Sequence, residues 1–407
     1  MHILYFHQHF STPSGATGTR SYEMAKKLIS LGHSITMVCG SYNVGTTDLT
    51  GDFDNGRREG DVEGIRVVEF DLTYANTDSF LKRSLQFAKF AYQSVKISLS
   101  TEYDLLFATS TPFTASIPGI FAKVFRGKKF VFEVRDLWPE LPKAMGVITN
   151  PLILGAMSVL EKLSYAKADA CIGLSPGIVE GIKRRSREDL PVALIPNGCD
   201  IELFEIQNND FQLQFTHTDE QVIACFTGAH GMANGLDNIL DCAQELKDRG
   251  DQQVIMLFVG EGKVKPQLIE RVKYNKLDNC VFLNAMPKHQ LVGLLHKVDI
   301  GLMPLANVPA FYYGTSPNKF FDYISCGLPV LNNYPGWLAD MINEFGCGVA
   351  VAPDNPKALA DALQSMAGDK VALKSMGGKG KQLALDKFDR NILSAQFADF
   401  LMKVAKA

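Results

Sequence analysis

The sequence has no uninterrupted apolar run of bilayer-spanning length, which excludes a membrane-crossing helix. Its opening, MHILYF, is too short for a secretory leader and is followed at once by polar residues. There is no CxxC pair, and the eight cysteines show no paired spacing. Most lie inside apolar stretches such as ACIGL and VIACF, as buried thiols in a reducing compartment do, so a cytosolic location is expected. HxxxH and HExxH spacings are absent, so no built-in metal site or other cofactor is expected. GxSxG, a complete GxGxxG and a Walker A loop are missing too. Excess positive charge is also lacking: a net charge of −3 argues against a nucleic-acid partner.

What is present is an alternation of apolar strands and helical periods over 407 residues, enough for two or three domains. HILYF (2–6) leads to a loop with Gly15 and Gly18, a helical SYEMAKKLISLGH and the strand SITMVC. VIACFTG (222–228) leads in the same way to a loop with Gly231 and Gly235, a helix, and VIMLFVG (254–260). DLLFATS, KFVFEV and ACIGLS read as strands covered on both faces. The pattern predicts an α/β chain of two doubly wound, Rossmann-like domains facing a central cleft. Their expected bounds are 1–205 and 206–385, followed by an amphipathic helix over 386–407 that packs back on the first domain. The polar stretch 208–221 reads as a hinge.

Ligands of such sheets bind beyond the carboxyl ends of strands. KFVFEV is followed by Arg135, Asp136 and Trp138. Asp136 suits a hydroxyl or proton acceptor, or a turn cap with Arg135; Trp138 suits a ring-stacking face or the core. His7 and His9 follow the first strand, and His230 lies in the second glycine loop. In GTSPNKFFDYISCGLPVL (314–331), Ser316 reads as an N-cap, Pro317 as the first helical residue and Gly327 as the left-handed stop. Lys319 then sits in the first turn, against the helix dipole, with Asp322 a turn further on. Either Lys319 is solvated, at a cost of roughly a few tenths of a kcal/mol, or an anion is held there. Taken with the glycine loops, this pattern favours a nucleoside diphosphate.

These segments, with EVRDLWPE, LSPGIVEGI, IPNGCD and FVGEGKVKPQL, resemble the family 4 retaining glycosyltransferases of the GT-B fold over nearly the whole chain. DLWPE and SPNKFFDY are most similar to the bacterial O-antigen and capsule branch, including N-acetylfucosamine-type transferases. The resemblance implies donor contacts at Gly15, Gly18, Gly228, His230, Gly231, Gly260, Glu261, Gly262, Ser316, Pro317, Asn318 and Lys319. It implies Asp322 as the ribose ligand, catalytic roles for Asp136, Arg135 and Lys319, and acceptor contacts at His9 and Trp138.

Three positions depart from the family pattern. Gly314 stands where the first of two acidic residues is usual, and Ala229 and Asn234 replace two cations that neutralise the leaving diphosphate. Lys319 is expected to supply that charge, with Arg20 or Lys263 as a further source. The implied reaction moves an N-acetylated hexose or deoxyhexose from a UDP-sugar to a lipid-diphosphate-linked saccharide, by a front-face route. Basic, Phe-rich segments at 80–96 and 121–130 fit either a packed core face or an anionic membrane, so peripheral attachment to the inner face is expected. A sugar-nucleotide epimerase and a non-catalytic UDP-sugar-binding protein remain as alternatives.

Overall fold

A computed structural model describes the chain apart from residues 75–77 and 207–210. Residues 208–210, the start of the stretch expected as a hinge, therefore lie outside the described residues. The chain divides into two compact units. The first comprises Met1–Pro196, Tyr313–Ser316 and Asn391–Ala407; the second comprises Asn197–Tyr312 and Pro317–Arg390.

The first unit is built on eight strands: β1 (His2–Phe6), β2 (Ser34–Tyr42), β3 (Arg57–Val62), β4 (Ile65–Tyr74), β5 (Leu105–Thr109), β6 (Lys129–Val134), β7 (Ala170–Gly173) and β8 (Val192–Leu194). They are ordered β3-β4-β2-β1-β5-β6-β7-β8. All neighbours run parallel except the β3–β4 pair, an antiparallel edge that the apolar pattern did not disclose. Its strand RREGDV is too polar to read as a strand by itself. β1, β5 and β6 are almost wholly buried, as their continuous Leu, Phe and Val runs require when helices cover both faces. Phe397, on the closing helix, meets Phe107 of β5 edge-on with ring centroids 5.0 Å apart.

The second unit has a six-stranded, all-parallel sheet ordered β11-β10-β9-β12-β13-β14. Its strands are β9 (Val222–Thr227), β10 (Val254–Val259), β11 (Cys280–Leu283), β12 (Ile300–Met303), β13 (Val330–Asn332) and β14 (Gly348–Ala350). This is the doubly wound order. The direction of winding reverses between β9 and β12, so the natural ligand crevice lies beyond the carboxyl end of β9. In the first unit the same reversal falls between β1 and β5.

The helix of the SPNKFFDY segment runs Asn318–Ser325. Pro317 is its N-cap, with extended ψ of 135° and no capping bond from its own side chain. The expected Ser316 cap is thus corrected by one residue: Pro317 keeps its fixed φ but takes the extended ψ of a cap, so the helix begins at Asn318. The expected stop is present. Gly327 has φ of +71°, and the amides of Gly327 and Leu328 bond back to the carbonyls of Ile324 and Tyr323.

Candidate active site

Tyr323 fixes the 318–325 helix over the switch point of the second sheet. It is fully buried, and its hydroxyl accepts from the Thr227 amide at 2.9 Å and lies 3.1 and 3.2 Å from the carbonyls of Cys225 and Leu302. Gly301 of β12 is small for the same reason: a Cβ there would stand 2.3 Å from the Tyr323 ring. The ends of β9 and β12 and the start of this helix are therefore one rigid assembly.

From its first turn Lys319 reaches back across β9. Its ammonium donates to Asn234 Oδ1 at 2.8 Å and lies 4.1 Å from the centroid of Phe226. Asn234 in turn donates to the Ala229 carbonyl at 2.8 Å. Asn234, itself fixed by the Ala229 carbonyl, thus holds Lys319 in place. Among the described residues no carboxylate pairs with this ammonium, and burial brings its pKa down from 10.5 to about 7. Where a cation stands desolvated without a counter-ion, an arriving phosphate gains the full interaction.

The loops around Lys319 are laced together by backbone. Gly228 and Gly260 have φ of +139° and +146°, and a Cβ on Gly260 would stand 1.9 Å from the Gly228 carbonyl oxygen. The His230 amide donates to the Glu261 carbonyl at 2.8 Å, and a Cβ on Gly262 would meet the His230 carbonyl oxygen at 2.3 Å. Lys265 was not singled out from the sequence. Its buried ammonium holds the loop by donating to the carbonyls of Gly260 and Leu283 and to the side chains of Glu261 and Asn284. Lys263 is exposed beside it. The His230 ring is fully buried between Phe226 and Phe282. Among the described residues neither nitrogen has a hydrogen-bond partner, and burial lowers its pKa to about 4. Its backbone, rather than its imidazole, faces the loop. Gly231 opens a short 3-10 turn over Met232–Asn234 that presents Asn234.

Asp322 turns the other way. One carboxylate oxygen lies 3.1 Å from Lys288 Nζ. Lys288 also pairs with Asp200 at 2.5 Å, and Asp200 with Arg390 at 2.6 Å. All four are largely buried. Two cations and two anions cancel, so the cluster carries no net charge. Burial raises the Asp322 carboxyl, with Lys288 opposing it. Burial also raises Asp200, but Arg390 and Lys288 outweigh this and hold it well below the usual carboxylate range. Lys288, missed by sequence reasoning, thus fixes the orientation of Asp322.

In the first unit Arg20 is not available to a phosphate, which corrects the expectation made for it. It is 2% exposed. Its guanidinium bonds Glu133 Oε2 through two nitrogens, at 3.0 and 2.8 Å, and the carbonyls of Pro196 and Ile195. Every direction of the guanidinium fork is thus directed inward. Arg135 anchors to the same cluster, donating from Nε to Thr109 Oγ1 at 2.8 Å and lying 3.3 Å from Glu133. Beside it Asp136 is half-buried; burial raises its carboxyl and Arg135 opposes the shift. Trp138 stacks on Phe113 with planes 2° apart, its indole N–H buried without a partner among the described residues. His9 packs against Tyr42 at 4.9 Å, and burial, with Arg135 and Arg83 nearby, lowers its pKa to about 3. Gly15 is required by packing, because a Cβ would stand 2.3 Å from Ser11 Oγ. Gly18 is half-buried just before the helix Arg20–Ser30. Gly314 has open space where a Cβ would project. Ser316, Pro317 and Asn318 lie between Gly314 and Lys319, with Asn318 exposed.

Among the described residues no cluster of His, Cys, Asp or Glu is arranged for a metal ion, and all eight cysteines are free. No helix among them is long and apolar enough to cross a membrane.

Residues 15–198 match the glycosyl transferase 4-like domain, and residues 207–383 match the glycosyl transferases group 1 family. No curated protein sequence matches the chain. Among solved structures, sucrose-phosphate synthase from Thermosynechococcus elongatus superposes with a TM-score of 0.77 at 17% identity, over 99% of this chain and 98% of that one. Anabaena HepE in complex with UDP and glucose does so with a TM-score of 0.70 at 18% identity, over 98% and 99%. WaaG, a glycosyltransferase involved in lipopolysaccharide biosynthesis, gives 0.67 at 14% identity, over 98% and 99%. The chain is a glycosyltransferase of group 1 with the GT-B fold.

Proposed function

We propose that the chain transfers an N-acetylated hexose or deoxyhexose from a UDP-sugar, with retention, to a lipid-diphosphate-linked saccharide in the synthesis of a surface polysaccharide such as O-antigen or capsule. The observation that carries the donor half is Lys319: an ammonium without a carboxylate partner among the described residues, held by Asn234 against the Gly228 loop at the switch point of an all-parallel sheet. The UDP complex of HepE and the lipopolysaccharide role of WaaG support the donor and the acceptor class respectively.

In this reading the diphosphate docks between Lys319 and the amides of the Gly228–Gly231 and Ser316–Asn318 segments, and Gly260–Gly262 flanks the nucleobase. Asp322 accepts ribose hydroxyls with the carboxylate oxygen that Lys288 leaves open. As the C–O bond to the diphosphate breaks, charge grows on the leaving oxygen, where a fixed ammonium and amide dipoles act most strongly. That oxygen takes the acceptor proton as the new glycosidic bond forms on the same face. Asp136, oriented by Arg135, steadies the developing positive charge on the sugar; His9 and Trp138 contact the acceptor.

The lipid half rests on exposed apolar surface. The helix Phe80–Ser100 leaves Leu81, Leu85 and Tyr92 exposed, and the helix Ile117–Arg126 leaves Val124 and Phe125 exposed. The neighbouring helix Pro151–Lys167 adds Leu152 and Val159. Several of the accompanying cations already have partners, Arg126 with Glu102 and Lys123 with Asp169, so apolar insertion contributes more than charge. The test is a UDP-release screen over sugar nucleotides with short lipid-diphosphate acceptors, together with sedimentation on anionic liposomes at low salt. UDP release that depends on the acceptor, and a chain that pellets, are expected. A free UDP-sugar epimer as product identifies the epimerase instead. Tight donor binding without UDP release identifies a binding protein, and a chain that stays in the supernatant removes the membrane contact.

A further inference from the structure

A cavity of about 300 Å³ opens in the first unit, lined by none of the residues assigned above. It lies at the carboxyl ends of β2 and β4 and is closed by the loop that follows β2. That loop is fastened to the Gly15 loop: the amides of Thr12 and Ala16 bond the carbonyls of Thr46 and Val44 at 2.9 and 2.8 Å. The Asp48 carboxylate ties the two loops further, accepting from Thr12 and Ser14. The cavity is therefore a built feature continuous with the glycine loop.

Its lining has two characters. Phe10, Tyr42 and Phe53 supply aromatic wall. At its base Glu69, 3% exposed, accepts from Ser41 and Thr47 and from Arg58 Nε at 2.9 Å. The Arg58 guanidinium lies 4.5 Å from the centroid of the Phe53 ring. Arg58 and Glu69 cancel, and Asp71 at the mouth leaves a net negative charge. A phosphate or carboxylate is repelled from such a site, and a nucleotide with it. A hydroxylated ring is favoured: its C–H face covers an aromatic side chain and its hydroxyls donate to Asp71 and exchange bonds with threonine hydroxyls. The volume sits near the lower end of small-molecule sites, roughly 300–1,000 Å³, which suits one sugar ring.

We infer that this cavity is a saccharide subsite, holding a neutral sugar ring of the acceptor beyond the one that receives the transferred sugar. His9 links the two positions, since its ring packs on Tyr42 of the cavity wall. The assignment rests on the proposed saccharide acceptor and adds to it a requirement for more than one ring.

The test is saturation-transfer NMR on the full chain with maltose, lactose, chitobiose and N-acetyllactosamine as probes, alongside UDP titrations. Asp71→Ala removes the mouth carboxylate, and Thr73→Trp fills the entrance; both positions are exposed. At least one disaccharide is expected to bind the wild type and to lose fivefold or more in each variant, with UDP affinity unchanged within twofold. No signal from any probe, or binding in both variants equal to that of the wild type, overturns the subsite. Failure of UDP to bind the wild type refutes the donor reading separately, because the saccharide comparison still decides the cavity.

Discussion

Replacing Lys319 with Arg removes a titration that the structure builds into donor binding. With a pKa of about 7 in the free protein, the ammonium is roughly nine-tenths protonated at pH 6 and one-tenth at pH 8. A bound diphosphate keeps it charged, so UDP binding takes up about half a proton at pH 7. Affinity through this contact then falls about tenfold from pH 6 to pH 8, or about 1.4 kcal/mol. Arginine stays charged throughout, so the ratio of wild-type to Lys319→Arg affinity isolates the lysine and cancels the ionisation of UDP itself. Isothermal titration at pH 6, 7 and 8, in buffers of different ionisation enthalpy, reads both the affinity and the proton. Lys319→Met, which deletes a charged hydrogen bond of about 1.5–3 kcal/mol, should weaken UDP by roughly 10- to 150-fold at pH 6. The unliganded protein should respond in the opposite sense. Lys319 has a folded pKa below its ordinary 10.5. Between pH 7 and 10.5 the unfolded chain therefore holds the extra proton, and stability from this group rises with pH across that window. At lower pH the cost of burying this charge is present in full, so Lys319→Met should raise the Tm of the free protein at pH 6. A flat wild-type to Lys319→Arg ratio across pH, or UDP binding unchanged in Lys319→Met, refutes the reasoning.

Asn234→Ala removes the acceptor that holds Lys319 at 2.8 Å; UDP affinity should drop about 2- to 13-fold, from a loss of roughly 0.5–1.5 kcal/mol, with little change in Tm. Lys288→Met leaves Asp200 and Asp322 sharing only Arg390, and denaturant titration should show a loss of roughly 3–5 kcal/mol. Because the folded pKa of Asp200 is depressed, its contribution is present above the ordinary carboxylate range. It is lost as pH falls through the folded value, so the wild-type advantage over Lys288→Met should shrink in acid. Gly260→Ala places a Cβ 1.9 Å from the Gly228 carbonyl oxygen at φ of +146°, and thermal unfolding should show a lower Tm together with weakened UDP binding.

The doubly wound units were legible because their strands are continuous apolar runs and their glycine loops recur in both halves. VIACFT and KFVFEV have no other stable use than a sheet covered on both sides. The hairpin edge was not legible, since RREGDV gains strand character only from pairing with β4. In the site, the anomalous charge of Lys319 could be read from its place in a first turn, but its partner lies 85 residues away. Separation along the chain likewise hid Lys288 from Asp322 and Glu133 from Arg20. Sequence showed that Arg20 is a cation near a glycine loop; only the fold shows its guanidinium fully engaged. The Ser316 cap failed for a local reason: the fixed φ of proline suits a first helical residue and an extended cap alike, and Pro317 is the cap.

The most direct test of the donor site is a crystal structure with UDP bound. The account places the diphosphate within hydrogen-bonding distance of Lys319 Nζ and against the Gly228–Gly231 backbone, with the ribose at Asp322. A diphosphate bound elsewhere, with Lys319 still directed only to Asn234, would contradict it.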